Sequence, residues 1–109
     1  MQGVIDSLTD SQKELVFFTM VVFLNQKNKV ISENALFKKA VEEAKVSSIH
    51  QFKDNLREAI QHNIFANKYI SGFLCYTTKL NDIDIRKIFE IYDVKEFDED
   101  SDDDFYDKD

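Results

Sequence analysis

The 109-residue chain has no proline and no tryptophan, only two glycines and a single cysteine. Each scarcity constrains the structure. The absence of proline with only two glycines suits short, regular connections. Cys75 alone can form no internal disulfide, and a reducing compartment is expected. The longest apolar run, residues 15–24, is ten residues long and contains Thr19. A bilayer-spanning helix needs about 20, so neither a transmembrane helix nor a membrane partner is expected. A secretory leader is not expected either: Asp6 and Asp10 stand where basic residues belong, and no small-residue cleavage site follows. The sequence also lacks a Gly-rich phosphate loop, a Ser/His/Asp constellation and a Cys pair. No enzyme and no cofactor are expected.

What the chain does contain is unevenly spread. The net charge of −7 belongs to one end. Residues 93–109 hold ten acids against Lys95 and Lys108, whereas the first 92 residues hold eleven acids and twelve bases. The expected organisation is a lead-in over residues 1–8, one folded domain over 9–92 and a disordered acidic tail over 93–109. A near-neutral domain is a poor non-specific nucleic-acid binder, because neutralising phosphates takes clustered Lys and Arg. Any DNA contact must come from a local patch.

Along the chain, Thr9 with Gln12 and Ser11 with Glu14 each match a capping box, so the first helix is expected to start at one of them. Leu15, Phe18 and Val22 make one face of it, yet Val16, Phe17, Met20, Val21, Phe23 and Leu24 are apolar too. Such a helix is buried on most sides or covers a partner. Val30 and Ile31 offer a short strand to pair with the later hairpin. Ser32 caps a second helix with Leu36, Phe37, Ala40, Val41 and Ala44 inward. Ser48 opens a third, with Gln51 as its box partner and Ile49, Phe52, Leu56 and Ile60 at helical spacing. Its polar face carries Gln51, Lys53, Asp54, Asn55, Arg57, Glu58, Gln61 and His62. A hairpin follows, turning around Tyr69 to Gly72, and Asn81 caps a short last helix that packs through Ile85, Ile88 and Phe89. The expected core joins Phe18, Val22, Leu36, Val41, Phe52, Leu56, Ile60 and Ile88.

Three helices, a short strand, a hairpin and a short terminal helix make the α+β order of a winged helix-turn-helix, which reads DNA or docks on proteins. The order points to recognition rather than chemistry. Three stretches carry a more specific likeness. The second helix reads Leu36-Phe37-Lys38-Lys39-Ala40-Val41-Glu42-Glu43-Ala44; the third ends Leu56-Arg57-Glu58-Ala59-Ile60-Gln61-His62-Asn63-Ile64-Phe65; the wing and last helix give Gly72-Phe73-Leu74-Cys75-Tyr76, then Leu80 and Ile88-Phe89-Glu90. From Ser7-Leu8-Thr9 onward this layout resembles the C-terminal winged-helix domain of eukaryotic origin recognition complex subunits and their loader ATPase relative, the second subunit most of all. The resemblance spans roughly residues 4–92. It implies a nuclear role in initiating DNA replication, with the other subunits of the complex and double-stranded DNA as partners, the DNA bound weakly by the isolated domain. The chain departs from the pattern in two ways: no ATPase core or Walker motif is present, and Lys68 is the one basic residue between Asn67 and Gly72. The alternative is a winged helix used for protein docking in a transcription or other nuclear assembly. A basic patch joining the third helix to the wing favours DNA; a continuous apolar surface on the first helix favours docking.

The candidate DNA-binding residues are Lys53, Arg57 and Gln61 on the third helix and Lys68 with Tyr69 at the wing tip, a Lys–aromatic pair suited to phosphate and sugar. Ser101, set among aspartates, resembles an acidophilic kinase site, and the tail is expected to screen the basic patch or hold a basic partner. No metal site is expected. His50 and His62 lie twelve residues apart with no ligand neighbours. Asp98, Asp100, Asp102, Phe105 and Asp109 fall on a calcium-loop template, but Asp103 replaces its turning glycine. Cys75 is expected to be a small core or strand residue.

Overall fold

Four side chains that the sequence supplies as caps start four of the helices. The computed structural model describes residues 2–95. Thr9 accepts from the Gln12 amide and receives the Gln12 side chain on its own amide, a complete capping box that opens α2 (Asp10–Leu24) and leaves Ser11 inside the helix. Ser32 caps α3 (Glu33–Glu42), and Ser48 caps α4 (Ile49–Gln61). Asn81 and Asp84 form a second full box at the start of α5 (Asp82–Tyr92). The expected box at Ser48 is half formed. Gln51 turns its side-chain oxygen to the amide and hydroxyl of Ser47, one residue earlier, at 2.8 and 3.1 Å.

The lead-in is not extended. Residues Gln2–Ser7 form a short helix, α1, that buries Ile5, and Leu8 is buried just beyond it. Tyr92 fastens α1 from the far end of the domain, donating to the Gln2 carbonyl and to Asp6 Oδ1 at 3.0 and 2.7 Å.

Helix ends are closed without glycine. After α3, Ala44 takes φ 58°, with Lys45 N bonded to Ala40 O at 2.8 Å and Ala44 N to Val41 O at 3.0 Å. After α4, Asn63 takes φ 62° with the matching bonds from Ile64 to Ala59 and from Asn63 to Ile60. Both are Schellman closures, which satisfy the last carbonyls of a helix through one left-handed residue. This geometry corrects the expectation that Ala44 faces inward: it lies beyond the end of α3 and is exposed. Val41, in the last turn, is 43% exposed rather than core. Ile49, in the first turn of α4, is 42% exposed for the same reason of position.

The sheet is antiparallel, of order β1-β3-β2, built from β1 (Val30–Ser32), β2 (Ala66–Ile70) and β3 (Phe73–Thr77). The strand at Val30 and Ile31 thus pairs with the hairpin, Ile31 opposite Tyr76. The hairpin turns on Ser71 and Gly72, both at positive φ, as a two-residue mirror-image turn requires. That places the turn two residues past Tyr69, which belongs to β2. Residues directly opposite share a face, so Asn67, Tyr69, Leu74 and Tyr76 look one way and Lys68, Ile70, Phe73 and Cys75 the other.

The core runs from Ile5 and Leu15 through Phe23, Leu36, Phe52, Leu56 and Phe65 to Ile85 and Phe89. From the expected set, Phe18, Val22, Leu36, Phe52 and Leu56 are buried, and Ile60 and Ile88 are half-buried against that core. Helix α2 is its axis, packed by α3, α4 and α5. Phe17 packs edge-on to Phe89 and against Tyr92, and Phe23 meets Phe65 at 5.5 Å. Thr19, buried in mid-helix, spends its hydroxyl on the Leu15 carbonyl at 2.8 Å. Among the described residues no helix is long and apolar enough to cross a membrane.

Candidate functional site

Helix α4 buries Phe52, Leu56 and Ala59. A helix that fixes one stripe inward fixes the opposite stripe outward, and Lys53, Arg57 and Gln61, four residues apart, share that outer stripe. Phe52 is gripped edge-on by Phe37 at 5.5 Å and Tyr76 at 6.0 Å, which locks the rotation of α4 against the sheet. Between α4 and the hairpin runs an open groove of about 330 Å³. Lys53, Arg57, Ile60 and Gln61 line one side, Asn67, Leu74 and Tyr76 the other, and Glu33 closes an end.

Three of the five candidate DNA contacts, Lys53, Arg57 and Gln61, therefore come together in this groove. The other two do not join them as a pair. Tyr69, 73% exposed, lies on the same strand face as Asn67 but closer to the turn. Lys68 lies on the opposite face, beside Cys75. Adjacent residues of a strand point apart, so a Lys–aromatic dipeptide in β2 cannot act as one tip.

The cations of the groove are partly spoken for. Arg57 pairs with Asp54 one turn earlier, and Lys53 Nζ lies 3.9 Å from Glu33 Oε2. Glu33 also accepts the Tyr76 hydroxyl at 2.6 Å. Burial, then that hydrogen bond and the Glu33 charge, push the Tyr76 phenol well above its ordinary pKa. His50 Nε2 lies 3.3 Å from Asp54, and His62 Nε2 lies 3.5 Å from Glu58. The exposed side of α4 is thus an alternation of charges rather than a basic stripe. Asn55, expected on the polar face, instead turns inward, and its buried Nδ2 finds no acceptor among the described residues. It sits three residues after Phe52 and four before Ala59, a spacing that could have flagged it.

Sequence reasoning missed Glu33, Asn67 and Leu74 as groove residues, because they reach α4 only through the strand pairing. It also missed the hairpin end. Phe73 is 63% and Ile70 40% exposed, directly opposite each other beside the turn. With Ser32 and Cys75 they line a second open groove, of about 570 Å³, on the other sheet face. Cys75 itself is buried and unpaired, its sulfur 3.6 Å from the Phe73 carbonyl. Among the described residues no group of three or more His, Cys, Asp or Glu side chains is placed to hold a metal ion. Ser101, the calcium-loop positions and all of the tail beyond Lys95 lie outside the described residues. Asp93 and Val94, assigned to the tail, belong to the domain: Asp93 is the left-handed cap of α5, and Val94 packs on the core with its amide bonded to Phe89 O at 2.9 Å.

No family model matches the chain, and no curated protein or solved structure matches it either.

Proposed function

We propose that residues 9–92 are a winged-helix domain of an origin recognition complex subunit, acting in the initiation of DNA replication by weak binding to double-stranded DNA and by docking on neighbouring subunits in the nucleus. The observation that carries this reading is the groove: α4 presents Lys53, Arg57 and Gln61 beside Asn67 of the hairpin, which is how a recognition helix and a wing meet a DNA backbone. The order α2-β1-α3-α4-β2-β3 and the pairing of β1 with β3 are what a winged helix would have. The sequence resemblance supplies the replication context.

The internal pairing of Arg57 with Asp54 and of Lys53 with Glu33 predicts weak binding. Few phosphates are neutralised, so the salt slope is shallow, about −2 to −3 in log K against log salt for two or three contacts. The test is fluorescence anisotropy with a labelled duplex and the full chain across a salt series. The doubly reversed variant Lys53→Glu/Arg57→Glu should lose about tenfold in affinity at low salt and keep its circular dichroism. Unchanged DNA affinity in that variant would move the function to the second reading, a winged helix used for protein docking in a transcription or other nuclear assembly. One observation favours that reading: Tyr69, Ile70 and Phe73 expose apolar surface at the hairpin end, and Lys68 is the one cation on either strand.

A further inference from the structure

We propose that the chain carries its own competitor for the α4–hairpin groove: the acidic-aromatic segment of residues 102–107, seated in cis with Phe105 or Tyr106 against Ile60 and Leu74. The inference rests on the reading of that groove as an anion-binding site and adds a regulator to it.

The groove is not a plain cationic surface. Its lining includes the half-buried side chains of Ile60 and Leu74, and its rim carries Lys53 and Arg57, two cations beside the one carboxylate of Glu33. A phosphate backbone uses the rim and leaves Ile60 and Leu74 uncovered. The ligand chemistry that uses both is an aromatic side chain flanked by carboxylates. The chain contains that pattern: Asp102, Asp103 and Asp104 precede Phe105 and Tyr106, and Asp107 follows. The groove on the other sheet face has exposed Ile70 and Phe73 but Glu33 as its one charged residue, so it offers an acidic segment no counter-charge.

Reach agrees with this. The chain leaves the domain at Val94, which packs on the core between Asp93 and Lys95. Phe105 lies ten positions beyond Lys95. Extended, those ten steps span roughly 33–36 Å, comparable to the second dimension of a domain measuring 43 × 36 × 26 Å. A tethered ligand within reach has an effective concentration up to the millimolar range, enough for a weak site to be occupied. The same attraction fades as salt shortens the screening length.

The test uses the full chain, with methyl NMR of Ile60 and Leu74 read beside DNA anisotropy. In Phe105→Ala/Tyr106→Ala the Ile60 and Leu74 methyl resonances should lose their ring-current shifts while those of Leu15 and Ile5 stay in place. In Asp102→Asn/Asp103→Asn/Asp104→Asn, duplex affinity at low salt should rise three- to tenfold, the difference closing near 0.5 M salt. Unchanged Ile60 and Leu74 methyls in the aromatic variant overturn the proposal, whatever DNA does. Methyl shifts that depend on protein concentration overturn its cis form, because the segment then comes from a second copy. Methyl shifts that respond as stated, in a protein none of whose variants binds DNA, support the docking and sink the DNA reading instead.

Discussion

Helices α2 and α4 pack against each other, yet their sequences look unlike. From Leu15 onward helix α2 is apolar on nearly every side, and α4 on one stripe. The difference records how many neighbours each has. Around α2, Phe17 meets Phe89 and Tyr92 of α5, Phe23 meets Phe65 ahead of β2, and α3 and α4 take the remaining sides. From Leu15 to Phe23 every side chain is buried except Phe17, which is half-buried. The excess of apolar residues there is therefore accounted for inside the domain, and α2 has no continuous apolar surface to offer a partner. Helix α4 has neighbours on one side, so its other side is the one free to do something.

The largest effect expected from this contrast is on stability. Phe23→Ala removes a fully buried ring from the α2 side of the core and should cost about 3–5 kcal/mol; Leu56→Ala, from the inner stripe of α4, about 2–5. On the outer stripe of α4, Arg57→Ala should change stability by no more than about 0.5 kcal/mol, since its ion pair with Asp54 is exposed. Urea unfolding followed by circular dichroism checks all three. A loss at Arg57 as large as that at Leu56 would break the comparison.

A smaller effect lies where the two sides of α4 meet. Tyr76 packs its ring on Phe52 and gives its hydroxyl to Glu33. Tyr76→Phe leaves the Glu33 carboxylate without that donor and should cost about 1–3 kcal/mol in the same urea experiment. The hydroxyl also makes stability pH-dependent. A phenol whose folded pKa is raised stabilises the fold fully below its unfolded value near 10, and that contribution is lost as pH rises through the folded value. Tyr92 behaves likewise: desolvation first, then the hydrogen bond to Asp6, push it up to about 12. Stability should therefore fall between pH 10 and 12, and Tyr76→Phe or Tyr92→Phe should each flatten that fall. A profile in both variants that tracks the unsubstituted chain would mean that neither hydroxyl is held as described.

How much of this was legible beforehand follows from the range of the interactions. Local chemistry is legible: Ser32, Ser48 and Asn81 as caps, Thr9 as one of two alternatives with Ser11, the β1–hairpin pairing, and Phe52 and Leu56 as core. Helix ends read badly because the chain closes them with Ala44 and Asn63, which carry no signal as strong as glycine. Without that stop, periodicity carried α3 two residues too far and turned Val41 and Ala44 inward. In the candidate site, the stripe Lys53–Arg57–Gln61 is a helical spacing and was legible. Its partners Glu33, Asn67 and Leu74 were not, since β pairing places them there. The separation of Lys68 from Tyr69 follows from strand alternation, which an expected turn over Tyr69 to Gly72 hides by placing both residues at a tip.

The smallest effect sharpens that point about stops. Ala44 holds φ 58° with its Cβ close to the following carbonyl, a conformation that costs an L-residue roughly 1–2 kcal/mol. Glycine adopts it freely but loses more backbone entropy on folding, so the two terms oppose each other. The strain is the larger, and Ala44→Gly should stabilise the domain by about 0.5–1 kcal/mol. Asn63→Gly should gain less, because asparagine already tolerates the left-handed region. Both closures flank α4, one before it and one after it, and neither Ala44 nor Asn63 lines the groove. DNA affinity and the Ile60 and Leu74 methyl signals should therefore stay unchanged while the urea midpoint rises. A lower midpoint in Ala44→Gly would mean that α3 continues through Ala44 as the apolar period alone suggests, with Val41 turned inward after all.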